Sequence, residues 1–243
     1  MGQMSKTRVF HPSGALWLPD LGALLVADLH LGYGLAQRRR GQLGPIADTK
    51  TAEKLHAVLE EYNPKSLILL GDAVHAPNPC RIEKNWIEEC FTRWLRQASI
   101  VFVRGNHDRK IAQDFGFEVV EQWRGLDWIA VHGDGIIPQP TPFETVVMGH
   151  LHPGIGIEDA AGVRQKVPVF LEGPQVLVLP AFSPFAAGID VARRFPESLR
   201  LFGNRDQFTA TAATGRRVVE LGLVARLRSM AAGSRPSDFR QTR

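Results

Sequence analysis

Residues 100–108 read Ile100-Val101-Phe102-Val103-Arg104-Gly105-Asn106-His107-Asp108. The first part is an apolar, β-branched run stopped by a glycine, the pattern of a buried strand. The polar residues that follow then sit on the loop at the strand's carboxyl end, where open α/β sheets bind their ligands. Asn, His and Asp in succession on so short a loop have no packing role. A capped turn with incidental polar residues explains one such loop, but the same arrangement recurs along the chain.

Leu24–Ala27 leads into Asp28-Leu29-His30, and Ser66–Leu70 leads into Gly71-Asp72. Trp128–Val131 leads into His132-Gly133-Asp134, and Thr145–Met148 into Gly149-His150-Leu151-His152. On an extended backbone, Asp28 and His30 point to one side and can grip one cation together. Between the first two strands, Asp48 to Tyr62 has helical periodicity, with Ala52, Leu55, Val58, Leu59 and Tyr62 on one face and Asp48 as its N-cap. A βαβ crossover of this length sets Asp28 beside Asp72. Two carboxylates that close repel unless a cation lies between them. Ile82 to Leu95 supplies the second crossover helix. Six of the eight histidines lie in or beside these motifs, which chance would scatter.

Outside these blocks, Arg8 to Pro19 predicts a hairpin around Pro12-Ser13-Gly14. Leu31-Gly32-Tyr33-Gly34 reads as a loop that comes close to the site. Arg109 to Phe115 predicts a short helix, and Val119 to Trp123 a strand turned by Gly125. Val167–Glu172 and Gln175–Leu179 predict strands of a second sheet, and Arg216–Leu223 a last one. Ala181 to Phe185 reads as a loop packed by its aromatics. The expected organisation is one domain over residues 1–228, with a basic, disordered tail over 229–243.

The 243-residue chain is 44% hydrophobic and 22% charged, ordinary for a globular protein. It has no run of 18 apolar residues, so no membrane span is expected. With no signal-peptide pattern at the N-terminus, a cytoplasmic location is the expectation. Cys80 and Cys90 match no zinc or redox spacing and read as reduced thiols. From Arg193 to the end there are eleven Lys+Arg against four Asp+Glu, a net of +7, whereas the remainder is −3. That excess suits an anionic partner such as nucleic acid, or a solvated arginine-rich surface. Arg38-Arg39-Arg40 carries the same two readings, and His75 either contacts substrate or caps its loop.

Taken in order, Asp28-Leu29-His30, Gly71-Asp72, Gly105-Asn106-His107-Asp108, His132-Gly133 and Gly149-His150-Leu151-His152 resemble the calcineurin-like metallophosphoesterase superfamily. The resemblance implies an α/β (α+β) fold, a four-layer αββα sandwich of two mixed sheets with two divalent metal ions at its top. By position, Asp28, His30 and His152 would hold one ion, Asn106, His132 and His150 the other, and Asp72 would bridge. Manganese is the metal expected on family grounds, with iron or zinc as alternatives. The implied reaction is attack on phosphorus by a hydroxide held between the metals, with His107 facing the substrate and Asp108 orienting it. His75, Arg38, Arg39 and Arg109 are candidate substrate contacts.

The segment Ala27 to Gly32, the arginine stretch after it and Leu70-Gly71-Asp72 followed by His75 look most like the ligase-associated DNA damage response endonucleases. That implies DNA as substrate, phosphodiester hydrolysis as reaction, and a ligase or helicase of DNA repair as partner. Hydrolysis of a small nucleotide or nucleotide-sugar pyrophosphate, a phosphomonoesterase, and a metal-holding interaction scaffold are the competing readings.

Overall fold

The computed structural model describes residues 7–42, 47–75, 79–106, 115–158, 162, 164–186 and 188–230. The first half follows the predicted order. A hairpin of β1 (Val9–Phe10) and β2 (Leu16–Leu18) leads into β3 (Ala23–Ala27) and the short helix α1 (Tyr33–Arg39). Then come α2 (Ala47–Tyr62), β4 (Ser66–Leu70), α3 (Arg81–Leu95) and β5 (Ser99–Val103). Strands β3, β4 and β5 are parallel neighbours, in register at Ala27, Leu70 and Val103. Their carboxyl ends therefore lie side by side, as the two crossovers require.

Three expectations need correction here. Asp48 does not cap α2: it lies inside the first turn, buried, and its carboxylate accepts a hydrogen bond from the Leu35 amide at 3.0 Å, tying α1 to α2. The glycine-flanked stretch after His30 is not all loop, because Tyr33 opens α1 behind a left-handed Gly32. Residues 119–123 are not one strand. Val119–Val120 forms β6 on the edge of the first sheet, and Trp123–Gly125 forms β7 in the second, so the chain changes sheets there. The expected helix from Arg109 lies mostly outside the described residues.

The second sheet adds β8 (Trp128–Val131), β9 (Thr145–Met148), β10 (Gly154–Glu158), β11 (Arg164–Gly173) and β12 (Val176–Val178). Strands β13 (Thr209–Ala213) and β14 (Val218–Leu223) and helix α4 (Val224–Met230) complete it. Its order is β14-β13-β11-β12-β9-β8-β7, with β10 paired to β11. Ser229 and Met230 belong to α4, although the sequence assigns them to the tail; 231–243 lie outside the described residues.

Strand alternation sorts the apolar residues into layers. Leu24 and Val26, Leu67 and Leu69, Ile100 and Phe102 face α2 and α3. Their neighbours Leu25, Ile68 and Val103 meet Ala130, Val147, Phe170 and Leu177 between the sheets. On the far side, Val146, Met148, Val169, Leu171 and Val176 pack under Leu199, Phe202, Val224 and Leu227. The fold is thus a mixed α/β sandwich of two mixed sheets. Its fourth layer is built from a short helix and a 3-10 turn (Glu197–Leu201) rather than long helices.

Candidate metal centre

The residues at the strand ends converge above the middle of the sandwich. Asp28, His30 and His152 form one cluster and Asp28, Asp72 and His132 another, each with ligand atoms within 4.8 Å of one another. Asp28 is common to both. His152 Nε2 lies 3.1 Å from Asp28 Oδ1, and His132 Nε2 lies 3.5 Å from Asp72 Oδ2 and 3.2 Å from Asn106 Oδ1. The ring of His150 stands 5.0 Å from that of His132. His107, Asp108 and Arg109 lie outside the described residues.

The backbone makes this convergence in a way the sequence does not announce. Asp28 and His30 are not extended: they have φ values of 55° and 46°. Asp72, His150 and His152 are also left-handed, so among the described residues four of the eight non-glycine residues with positive φ belong to the two clusters, and a fifth, His150, stands beside His132. Left-handed backbone at non-glycine residues is uncommon, and its concentration here marks strain held by the surroundings. The surroundings are visible in the hydrogen bonds. Asp28 N–H donates to Gly71 O, His30 N–H to Asp72 O and Leu31 N–H to Ala73 O, zipping the loops after β3 and β4 together. Glycines provide the closeness: a Cβ on Gly71 would strike the His132 ring, and one on Gly105 would strike the Asp72 amide.

Ring orientation is set from behind. His132 Nδ1 is 2.9 Å from the Leu70 carbonyl, which can only accept, so Nδ1 carries a proton and Nε2 faces the carboxylates. The His150 amide donates to Asp28 Oδ2 at 3.0 Å, leaving Oδ1 toward His152. Burial drives His30 down to about 4 despite the nearby carboxylates, so at neutral pH its imidazole is uncharged. Burial, with the neighbouring His132, lowers His150 as well. For His132, burial works against the charge, but the hydrogen bond to Asp72 and the charges of Asp28 and Asp72 outweigh it and raise its pKa to about 9. A cation on Nε2 would displace that proton.

The cluster fits a metal on its own atoms. Asp28 Oδ1 and His152 Nε2 are buried and make no hydrogen bond. A buried polar atom without a partner is costly, and two that face each other at 3.1 Å fit a shared cation. Carboxylate, amide and imidazole donors without thiolate suit manganese, iron or zinc.

Other candidates fall around this centre. His75 sits beside it, its ring 5.7 Å from that of His30. Arg38 and Arg39 are exposed at the end of α1, where Arg39 pairs with the buried Glu83 at 3.3 Å. Ser183 also bears on the site: its amide donates to Asp28 O and its hydroxyl accepts from Phe185 N–H, fixing the loop after β12 to the centre. A single serine in a loop carries no sequence signal for that role. Cys80 and Cys90 are both free, and burial pushes the Cys90 thiol up to about 12, which makes it inert.

The sequence from 23 to 146 matches the family model described as calcineurin-like phosphoesterase. Among curated proteins, nothing matches the sequence. Among solved structures, the chain is similar to nuclease MPE of Pseudomonas putida at 26% identity, over 91% of this chain and 98% of that one, with a TM-score of 0.68. It is also similar to YfcE, a phosphoesterase from E. coli, at 14% identity, over 83% of this chain and 98% of that one, with a TM-score of 0.43. The family match alone spans half of the chain and takes in the ends of β3, β4, β5 and β8, where Asp28, His30, Asp72, Asn106 and His132 stand. The chain belongs to the calcineurin-like phosphoesterase family.

Proposed function

We propose that the chain is a two-metal phosphodiesterase that cuts nucleic acid, with DNA as its substrate. In this reading Asp28, His30 and His152 would hold one divalent ion, Asn106, His132 and His150 the other, and Asp72 would serve both. When bound, the two ions supply positive charge to the phosphate oxygens and acidify the attacking water. Manganese is the metal we assign, on family grounds.

The chain's own residues do the rest. Leu70 holds the His132 tautomer, and the His150 amide holds Asp28, so the donors are oriented before any ligand arrives. His107 directly follows Asn106, and we assign it to the leaving oxygen, with Asp108 orienting its ring. His75 is assigned to the substrate, and Arg38, Arg39 and Arg109 to the nucleic acid backbone. A role in DNA repair beside a ligase or helicase, in the cytoplasm, completes the reading. Among the described residues no helix is long and apolar enough to cross a membrane.

The observation that carries the nuclease assignment is the likeness to a nuclease over 98% of that chain. The test is cleavage of end-labelled single- and double-stranded DNA by protein stripped of metal and then given manganese, with bis-p-nitrophenyl phosphate alongside. Expected is manganese-dependent hydrolysis of both, reduced about 100-fold or more in Asp72→Ala. Hydrolysis of the small diester with DNA untouched would remove DNA and redirect the reading to nucleotides and nucleotide-sugars. Metal binding without turnover of any ester would leave an interaction scaffold.

A further inference from the structure

A line of rings runs outward from the metal centre. The His152 ring lies 5.6 Å from that of His30, and His30 lies 5.7 Å from His75. His75 lies 4.7 Å from Tyr33, and Tyr33 is stacked on Phe185 at 5.2 Å with only 5° between the ring planes. The inner ring contacts are edge-on, whereas the outermost is a parallel stack. Neither Tyr33 nor Phe185 is fully buried: both are partly exposed, unlike the core aromatics Phe91, Phe102 and Phe182.

The pair is also fixed relative to the metal cluster. The Tyr33 amide donates to the His30 carbonyl. The Phe185 amide donates to Ser183 Oγ, and the Ser183 amide donates to the Asp28 carbonyl. Each ring thus hangs by short hydrogen-bonded links from a residue of the Asp28–His30–His152 cluster. An aromatic pair that served only packing would not need to be partly in water beside a polar centre.

Resting on the phosphodiesterase reading, the geometry points to Tyr33 and Phe185 as the platform on which a nucleobase next to the scissile phosphate stacks. At 5.2 Å the two rings touch and admit nothing between them, so the base extends the stack from outside. Every base has a π-face, so such a platform selects nucleobase-bearing esters over plain phosphate esters without choosing a sequence.

The test is calorimetry on the manganese-loaded protein with thymidine 5′-monophosphate and with 2-deoxyribose 5-phosphate, which share phosphate and sugar and differ in the base. The wild-type protein is expected to bind the thymidine compound on the order of 10-fold more tightly, the strength of one base–aromatic stack. That preference should vanish in Phe185→Leu, which keeps apolar bulk against Tyr33 but has no π-face, and return in Phe185→Trp. Deoxyribose 5-phosphate should bind all three alike. Equal binding of both ligands by the wild type, or a preference that survives in Phe185→Leu, would overturn the proposal. A loss shared by both ligands and not restored by Phe185→Trp would also overturn it, by making Phe185 structural. Calorimetry does not depend on turnover, so failure to hydrolyse diesters would sink the phosphodiesterase reading while this result stayed readable.

Discussion

Asp28, at φ 55°, is held on all sides: its amide by Gly71, its carbonyl by Ser183, and its Oδ2 by His150. A strained backbone of this kind costs on the order of 1–3 kcal/mol and persists only where neighbours over-determine it. Gly149 is one such neighbour, because a Cβ there would come within 2.7 Å of both the Ala27 Cβ and Asp28 Oδ2. Gly149→Ala should therefore destabilise the chain by about 1–3 kcal/mol and move Asp28 out of place. Its thermal midpoint should fall, and the stabilisation that manganese gives the wild type should shrink. An unchanged midpoint with full manganese stabilisation would show that the close approach is not needed. The sequence made Asp28, His30, Asp72, His132, His150 and His152 legible because each follows an apolar run. The left-handed turns that aim them were not legible, since Asp and His adopt either backbone.

Among the elements, the strands that end at the site were read nearly to the residue, because their runs are long, β-branched and bounded by glycine. Strand β13 has no sequence signal: Thr209 to Ala213 is Thr-Ala-Thr-Ala-Ala, too small and polar to look like a strand, although it lies between β11 and β14. Helix α1 has none because Gly32 and Gly34 argue against helix, while contacts of α1 with α2 stabilise it. Helix α2 has a further anchor that no pattern shows. Lys54 donates to the carbonyls of Phe182 at 2.6 Å and Ser13 at 3.3 Å, with its ammonium 3.7 Å from the Phe182 ring centroid. Lys54→Met should lower stability by about 1.5–3 kcal/mol in urea denaturation at pH 7, as loss of a charged donor does. Burial lowers the Lys54 pKa from 10.5 to about 8. Between those values the unfolded chain binds more protons than the folded one, so the stability Lys54 contributes rises with pH in that window. The gap between wild type and Lys54→Met should widen from pH 8 to pH 10; a constant gap would mean that Lys54 titrates normally.

Across the whole molecule, the two sheets are joined by one apolar layer, and Phe170 is the largest aliphatic or phenyl side chain fully buried in it. It also stacks on Phe10 at 4.4 Å, which fastens the N-terminal hairpin to the second sheet. Phe170→Ala should cost about 3–5 kcal/mol, read as a lower urea midpoint. Because His132, His150 and His152 come from the second sheet and Asp28, His30, Asp72 and Asn106 from the first, slippage between the sheets divides the centre. The variant should thus lose manganese affinity even where it stays folded. Retention of wild-type affinity and stability would show that the layer does not govern the site.

The central claim is that these strand ends form one two-metal centre bridged by Asp72. Manganese per chain, measured by elemental analysis after dialysis of metal-loaded protein, tests it most directly. Two ions per chain in the wild type, with fewer than one in Asp72→Ala, is the result that a bridging Asp72 requires. Full occupancy retained in Asp72→Ala, or no stoichiometric metal in the wild type, would contradict it.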